Sequence, residues 1–238
     1  MKELSIIMPM YNAVNIKGDL NEANNALAKI TNRYEIILVN DGSENNCFNV
    51  AKEYSRKNKK VQVVGYKKNS GKGSAIKYGF KFVSGKYVAF VDTGGELNPE
   101  QLKKFIKIME DEKADVVIGS KRHVNSDVHY PLIRRFMSST YQLLNKILFN
   151  LGVKDTQVGI KLFKKEILDK VIPKIAIKRF AFDLELLVIA NKKGYKIVEA
   201  PITMKYKFKS TISPSAVFWM LWDTAAIFYR LKILKYYD

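Results

Sequence analysis

Three short apolar runs in the first hundred residues each end in a polar, turn-forming cluster. Leu4–Met8 runs into Pro9-Met10-Tyr11-Asn12, Glu35–Val39 into Asn40-Asp41-Gly42-Ser43, and Tyr87–Val91 into Asp92-Thr93-Gly94-Gly95-Glu96. Runs this short, almost continuously apolar and rich in β-branched residues, are expected of parallel strands buried on both faces. With further runs near 61–65 and 115–119, they alternate with helical stretches near 16–30, 46–58, 73–83 and 98–112. That βαβα alternation predicts an α/β fold, a mainly parallel sheet flanked by crossover helices. Ligands of open α/β sheets sit beyond the carboxyl ends of the strands. Polar clusters delivered there by three strands therefore predict a built site.

The pattern continues less regularly. Asn98-Pro99-Glu100 is a helix start, a cap residue followed by proline at the first helical position. Residues 121–131 read as a polar, irregular loop, followed by a helix over 132–151, a short strand over 159–163, a helix over 181–192 and a strand over 196–206. With no repeat or linker, the chain divides into one domain over 1–210 and a C-terminal extension over 211–238. The apolar stretch of the extension is broken by Asp223 and is shorter than the ~20 residues a membrane-spanning helix needs. Trp219, Trp222, Phe228 and Tyr229, followed by Arg230, Lys232 and Lys235, suit an amphipathic helix lying among lipid headgroups. The competing reading is a helix packed on the core of the domain.

Composition narrows the class. A chain of 238 residues with 47% hydrophobic content supports a real core and excludes disorder. A single cysteine, Cys47, excludes an intramolecular disulfide and fits a reducing cytosol, and two histidines argue against a histidine metal centre. Met1-Lys2-Glu3 leads straight into a strand, so no secretory leader is expected. The net charge of +18 favours anionic partners, phosphorylated ligands or an anionic membrane surface. Nucleic acid is not expected, because no nucleic-acid motif accompanies the charge.

Two positions suggest chemistry on their own. Asp92, after a buried strand and before two glycines, is placed to hold a divalent cation against a diphosphate, although an aspartate there is often only a turn former. Lys72, in Asn69-Ser70-Gly71-Lys72-Gly73, opens a helix on a flexible turn and could meet an anion, without the glycine spacing of a Walker loop.

Taken together, Pro9-Met10-Tyr11-Asn12, Asn40-Asp41-Gly42-Ser43, Gly71-Lys72-Gly73 and Asp92 resemble the family-2 glycosyltransferases of GT-A (Rossmann-like) fold in order and spacing. Gly119-Ser120-Lys121, the run from Asp155 to Phe163 and the run from Arg179 to Leu187 resemble the branch that glycosylates polyprenyl phosphates, dolichyl-phosphate glucosyltransferases first and mannose synthases next. The resemblance implies that Pro9, Tyr11, Asn12, Asp41 and Lys72 bind the nucleotide. It makes Asp92 the first metal ligand, with Glu96 as a further oxygen donor for Mg2+ or Mn2+. Lys121 would face the donor diphosphate, where the branch has arginine. Arg134 and Arg135 would meet the acceptor phosphate, with Asp155 and Asp183 on the acceptor side. The chain departs from the pattern at Ala13, Asn40 and Gly94, where the family has glutamate, aspartate and the second metal-motif aspartate.

The implied reaction moves a hexose from a nucleotide diphosphate sugar, of UDP-glucose or GDP-mannose type, to a polyprenyl phosphate with inversion. The implied setting is the cytoplasmic face of a membrane, reached through the basic surface and extension or through a membrane subunit. The alternatives are a saccharide acceptor in surface-polysaccharide synthesis and a catalytically silent nucleotide-sugar binding module.

Overall fold

The computed structural model describes residues 2–128, 132–205 and 214–238, without the side chains of 132–136 and 214. The first half follows the expected alternation: β1 (Leu4–Met10), α1 (Ile16–Ala28), β2 (Tyr34–Asp41), α2 (Cys47–Lys57), β3 (Val61–Tyr66), α3 (Lys72–Phe80) and β4 (Tyr87–Val91). Then come α4 (Leu102–Asp111), β5 (Val116–Ser120), β6 (Asp127–Val128), α5 (Leu132–Phe149), β7 (Ile160–Lys164), α6 (Lys165–Val171), α7 (Phe182–Lys192), β8 (Ile197–Pro201), β9 (Thr203–Met204) and α8 (Pro214–Lys232). The central sheet has the order β3-β2-β1-β4-β7-β5-β8. All neighbouring pairs are parallel except those made by β7, which runs antiparallel between β4 and β5.

Continuous apolar runs become central strands because both faces are covered. Along β1, Leu4, Ile6 and Met8 enter one cluster with Leu20, Leu27 and Phe105, while Ile7 faces the other with Ile37, Phe90 and Phe182. Helices α1, α2 and α4 cover the first face, and α3, α6 and α7 the second. Helix α7 is buried along its length from Phe182 to Ala190, as its all-round apolar sequence requires.

Three details differ from the sequence expectations. Helix α6 was not anticipated, since seven residues are too few for a periodic signal. The strand foreseen over 196–206 breaks at Ile202 into β8 and β9. The loop foreseen after Lys121 contains β6, which pairs in parallel with β9. That small sheet is tied to the loop after β4 by Lys205 N–H donating to the Glu96 carbonyl at 2.9 Å.

The C-terminal helix is two-sided. Thr224 and Ile227 are buried; the Thr224 hydroxyl lies 2.8 Å from the Tyr141 hydroxyl of α5, and Phe228 meets Phe149 edge-on. Phe218, Leu221, Trp222 and Tyr229, spaced 3, 4 and 11 residues from the first, form an exposed stripe, with Trp222 61% exposed. The far end is bolted to α7. The buried Glu185 carboxylate accepts from Ala176 N–H at 3.0 Å, Ile177 N–H at 2.7 Å and the Tyr237 hydroxyl, with Arg230 at 3.7 Å.

Candidate active site

From β1 the chain steps outward to β2 and β3, then returns to β4 on the other side of β1. At such a switch point the loops diverge and leave a crevice at the carboxyl ends of the strands. A cleft of about 710 Å³ lies there, lined by Pro9, Tyr11, Asp41, Lys72, Asp92 and Thr93, with Lys178, Arg179 and Phe180 on the opposite wall. Tyr11, Asp41 and Asp92, delivered by three different strands, therefore face one space.

Asp41 shapes the wall it lines. Its carboxylate accepts from Ser70 N–H at 2.8 Å and Gly71 N–H at 3.0 Å, fixing the loop that opens α3. Gly71, at φ +94°, sits where a Cβ would lie 2.6 Å from the Lys178 carbonyl oxygen, so only glycine lets these two walls meet. Asn12 plays a different part. It is absent from the cleft lining; its side-chain oxygen accepts from Glu44 N–H at 2.8 Å and Asn45 N–H at 3.3 Å, tying the β1 loop to the β2 loop.

Beneath the cleft runs an alternating chain of charges. Lys72 Nζ stands 2.9 and 3.1 Å from the two carboxylate oxygens of Asp92 and 3.0 Å from Asp183. The other Asp183 oxygen is 2.8 Å from Lys161 Nζ, which also donates to the Val158 carbonyl at 2.6 Å. The side chains of Lys161 and Asp183 are 1% and 3% exposed. Burial pushes the Asp183 carboxyl up, but Lys161 and Lys72 outweigh it and hold the carboxyl below the usual aspartate value. Burial likewise opposes the charge on Lys72, yet Asp183 and Asp92 raise its pKa above the usual lysine range. For Lys161 burial wins, and its pKa is lowered despite Asp183.

Lys161 and Gly159 are two site residues, beside Thr93, Lys178 and Phe180 of the cleft wall, that the sequence does not single out. A lysine inside the apolar run Ile160–Phe163 was the available signal for the first. The second is steric: a Cβ at Gly159 would fall 2.1 Å from an Asp92 carboxylate oxygen, so the glycine is what makes room for that carboxylate.

A smaller pocket of about 140 Å³ adjoins the cleft and shares Asp92 and Thr93 with it; Glu96, Lys121 and Gly159 also line it. Lys121 is held by the buried Asp155, whose carboxylate lies 3.1 Å from Lys121 Nζ and accepts from the backbone N–H groups of Lys121 at 3.1 Å and Gln157 at 3.2 Å. The backbones of Arg134 and Arg135 fall in the first turn of α5, and their side chains lie outside the described residues.

These residues suit a divalent cation shared with a phosphate ligand. Among the described residues no cluster of three or more acidic, histidine or cysteine side chains forms a self-contained metal cage. Asp92 and Glu96 line one pocket, however, and hard cations of the Mg2+ type are held by one or two carboxylates together with ligand phosphates. Gly94 adopts φ +109°, a backbone conformation that disfavours a side chain such as aspartate. The second carboxylate of the usual motif is therefore missing from the backbone path as well as from the sequence.

Residues 5–172 match the family model described as "Glycosyl transferase family 2". Dolichyl-phosphate beta-glucosyltransferases are similar along most of the chain. That of Mus musculus is 30% identical over 248 residues, covering 98% of this chain and 76% of its own. That of Saccharomyces cerevisiae is 32% identical over 220 residues. The chain spans 61% of the length of a Trichomonas vaginalis relative and 66% of the yeast one. Among solved structures, glucosyl-3-phosphoglycerate synthase from Mycobacterium tuberculosis, in complex with Mn2+, UDP and phosphoglyceric acid, superposes with a TM-score of 0.71 at 15% identity, over 96% of this chain and 78% of that one. Mannosyl-3-phosphoglycerate synthase from Rubrobacter xylanophilus gives 0.72 at 16% identity, over 98% and 75%. These neighbours share the GT-A-like fold, and the chain belongs to glycosyl transferase family 2.

Proposed function

We propose that this protein transfers a hexose, glucose by the likeness of its relatives, from a nucleotide diphosphate sugar to a polyprenyl phosphate at a membrane surface. The observation that carries the reading is the convergence of Tyr11, Asp41, Lys72 and Asp92 on one cleft, in a chain whose similar proteins are named dolichyl-phosphate beta-glucosyltransferases. Tyr11 and Asp41 flank the nucleoside, and Lys72, Asp92 and Lys121 surround its diphosphate. A divalent cation at Asp92 and Glu96 supplies, when bound, positive charge that stabilises the departing diphosphate. Lys121 is held by Asp155 where it opposes the same charge without reorganising, and Lys72, paired with Asp183, adds a second positive charge.

The buried state of Asp155 supports a phosphate acceptor over a sugar hydroxyl. Its carboxylate is fully buried and engaged by Lys121 and Gln157, so it orients Lys121 rather than collecting a proton. A phosphate acceptor, with a second pKa near ~6, is already a nucleophile at neutral pH and needs no strong base. The direct test incubates the full chain with UDP-glucose or GDP-mannose and a short polyprenyl phosphate, with and without Mn2+. A glucosyl-phosphoryl-polyprenol is the expected product, and no glycolipid from either donor overturns the reading.

The exposed aromatic stripe of α8 and the basic surface support peripheral attachment, since no helix among the described residues is long and apolar enough to cross a membrane. The protein should co-sediment with anionic vesicles at low ionic strength and release as salt screens the attraction. Absence from the vesicle pellet at low salt would remove the proposed mode of attachment.

A further inference from the structure

The ion pair between Lys72 and Asp92 occupies the carboxylate that a divalent cation needs. We propose that Lys72 is an internal cation which fills this position in the unliganded protein, yields it when a metal ion and a diphosphate arrive together, and so makes the two bind cooperatively. The inference rests on the reading of Asp92 as a cation ligand.

Three features of the charge chain fit this role. Lys72 contacts both oxygens of Asp92, at 2.9 and 3.1 Å, so a cation approaching that carboxylate meets a like charge within a few ångströms. Asp183 gives Lys72 a second partner at 3.0 Å, so the ammonium can leave Asp92 without becoming an unpaired buried charge. Lys161, bonded to the opposite oxygen of Asp183 and to the Val158 carbonyl, fixes that carboxylate and acts as a positioning residue. Lys72 also lines the donor cleft, so a diphosphate offers it a third, anionic partner. A metal ion alone takes Asp92 from the ammonium and leaves it only Asp183, a partner it already holds. A metal ion with a diphosphate displaces it towards a new partner, which is a coupling free energy between two ligands and is necessarily reciprocal.

The test is Mn2+ binding to the full chain, read from the electron paramagnetic resonance signal of free Mn2+, with and without UDP. In the parent protein Mn2+ alone should bind weakly and UDP should tighten it. Lys72→Met should bind Mn2+ alone about tenfold more tightly, and the gain on adding UDP should shrink by a similar factor. Lys72→Gln should behave like Lys72→Met, whereas Lys72→Arg, which keeps the charge, should restore the parental pattern. Thermal melting shows whether each variant is folded. Asp92→Asn identifies the site and should abolish Mn2+ binding with UDP present. If it does so while the neutral Lys72 variants bind Mn2+ no better than the parent, Asp92 stands as the ligand and the internal-cation role is overturned. If Asp92→Asn leaves Mn2+ binding intact, the reading of Asp92 fails and this inference falls with it.

Discussion

Asp183→Asn is expected to lower the stability of the fold by about 3–5 kcal/mol, the usual consequence of removing one partner from a buried ion pair. Lys161 would be left in an apolar strand with uncharged partners, the Val158 carbonyl and an amide in place of the carboxylate. Lys72 would suffer less, because it keeps Asp92. The loss should depend on pH in a diagnostic way. An unpaired Lys161 folds most easily as the neutral amine, so the unfolded variant binds a proton that the folded one refuses. Where the unfolded chain holds more protons, stability rises with pH, by at most about 1.4 kcal/mol per unit for one group. The variant should therefore recover part of its deficit as the pH rises from neutrality towards the ordinary lysine range. The parent carries a signature of the same sign at acid pH. Its Asp183 carboxyl is held below the usual value, so that contribution is present above about pH 4 and lost as the pH falls through the folded pKa. Chemical denaturation across this range measures both. An unchanged midpoint for the variant would mean that Lys161 is not held by Asp183.

Asp92→Asn should separate activity from folding in the reverse sense. The Asp92 side chain is 42% exposed, and Lys72 keeps Asp183, so stability should change little. Hexosyl transfer should fall by about 10²–10³ in kcat, the range observed when one preorganised group that stabilises transition-state charge is removed. Steady-state transfer assays beside thermal melting read both effects. A variant that keeps most of its activity would rule out Asp92 as the anchor of the diphosphate charge.

Much of this was legible in the chain because the relevant signals are local. Strands β1, β2 and β4 announce themselves as buried apolar runs, and their polar ends fall in one cleft because parallel strands present the same ends to the same side. Lys72 was legible from its glycines. The partners that hold these residues were not. Lys161 pairs with Asp183 across 22 residues of sequence, and nothing in either segment predicts that β7 inserts antiparallel between β4 and β5 to bring them together. The Asp92–Gly159 contact has the same origin, a packing relation between β4 and β7 that a strand pattern does not encode. The pair β6 and β9 is two residues long on each side, below the length at which alternation becomes a signal.

The contacts of Glu185 mean that the last stretch of the chain closes a hole in the protein. A polypeptide cut after residue 210 would retain every strand and every cleft residue. It would also strip Glu185 of Tyr237 and Arg230 and uncover the seat of Ile227. The tail thus serves as a stopper for the helix that carries Asp183, and trimming it would loosen the floor on which the cleft stands.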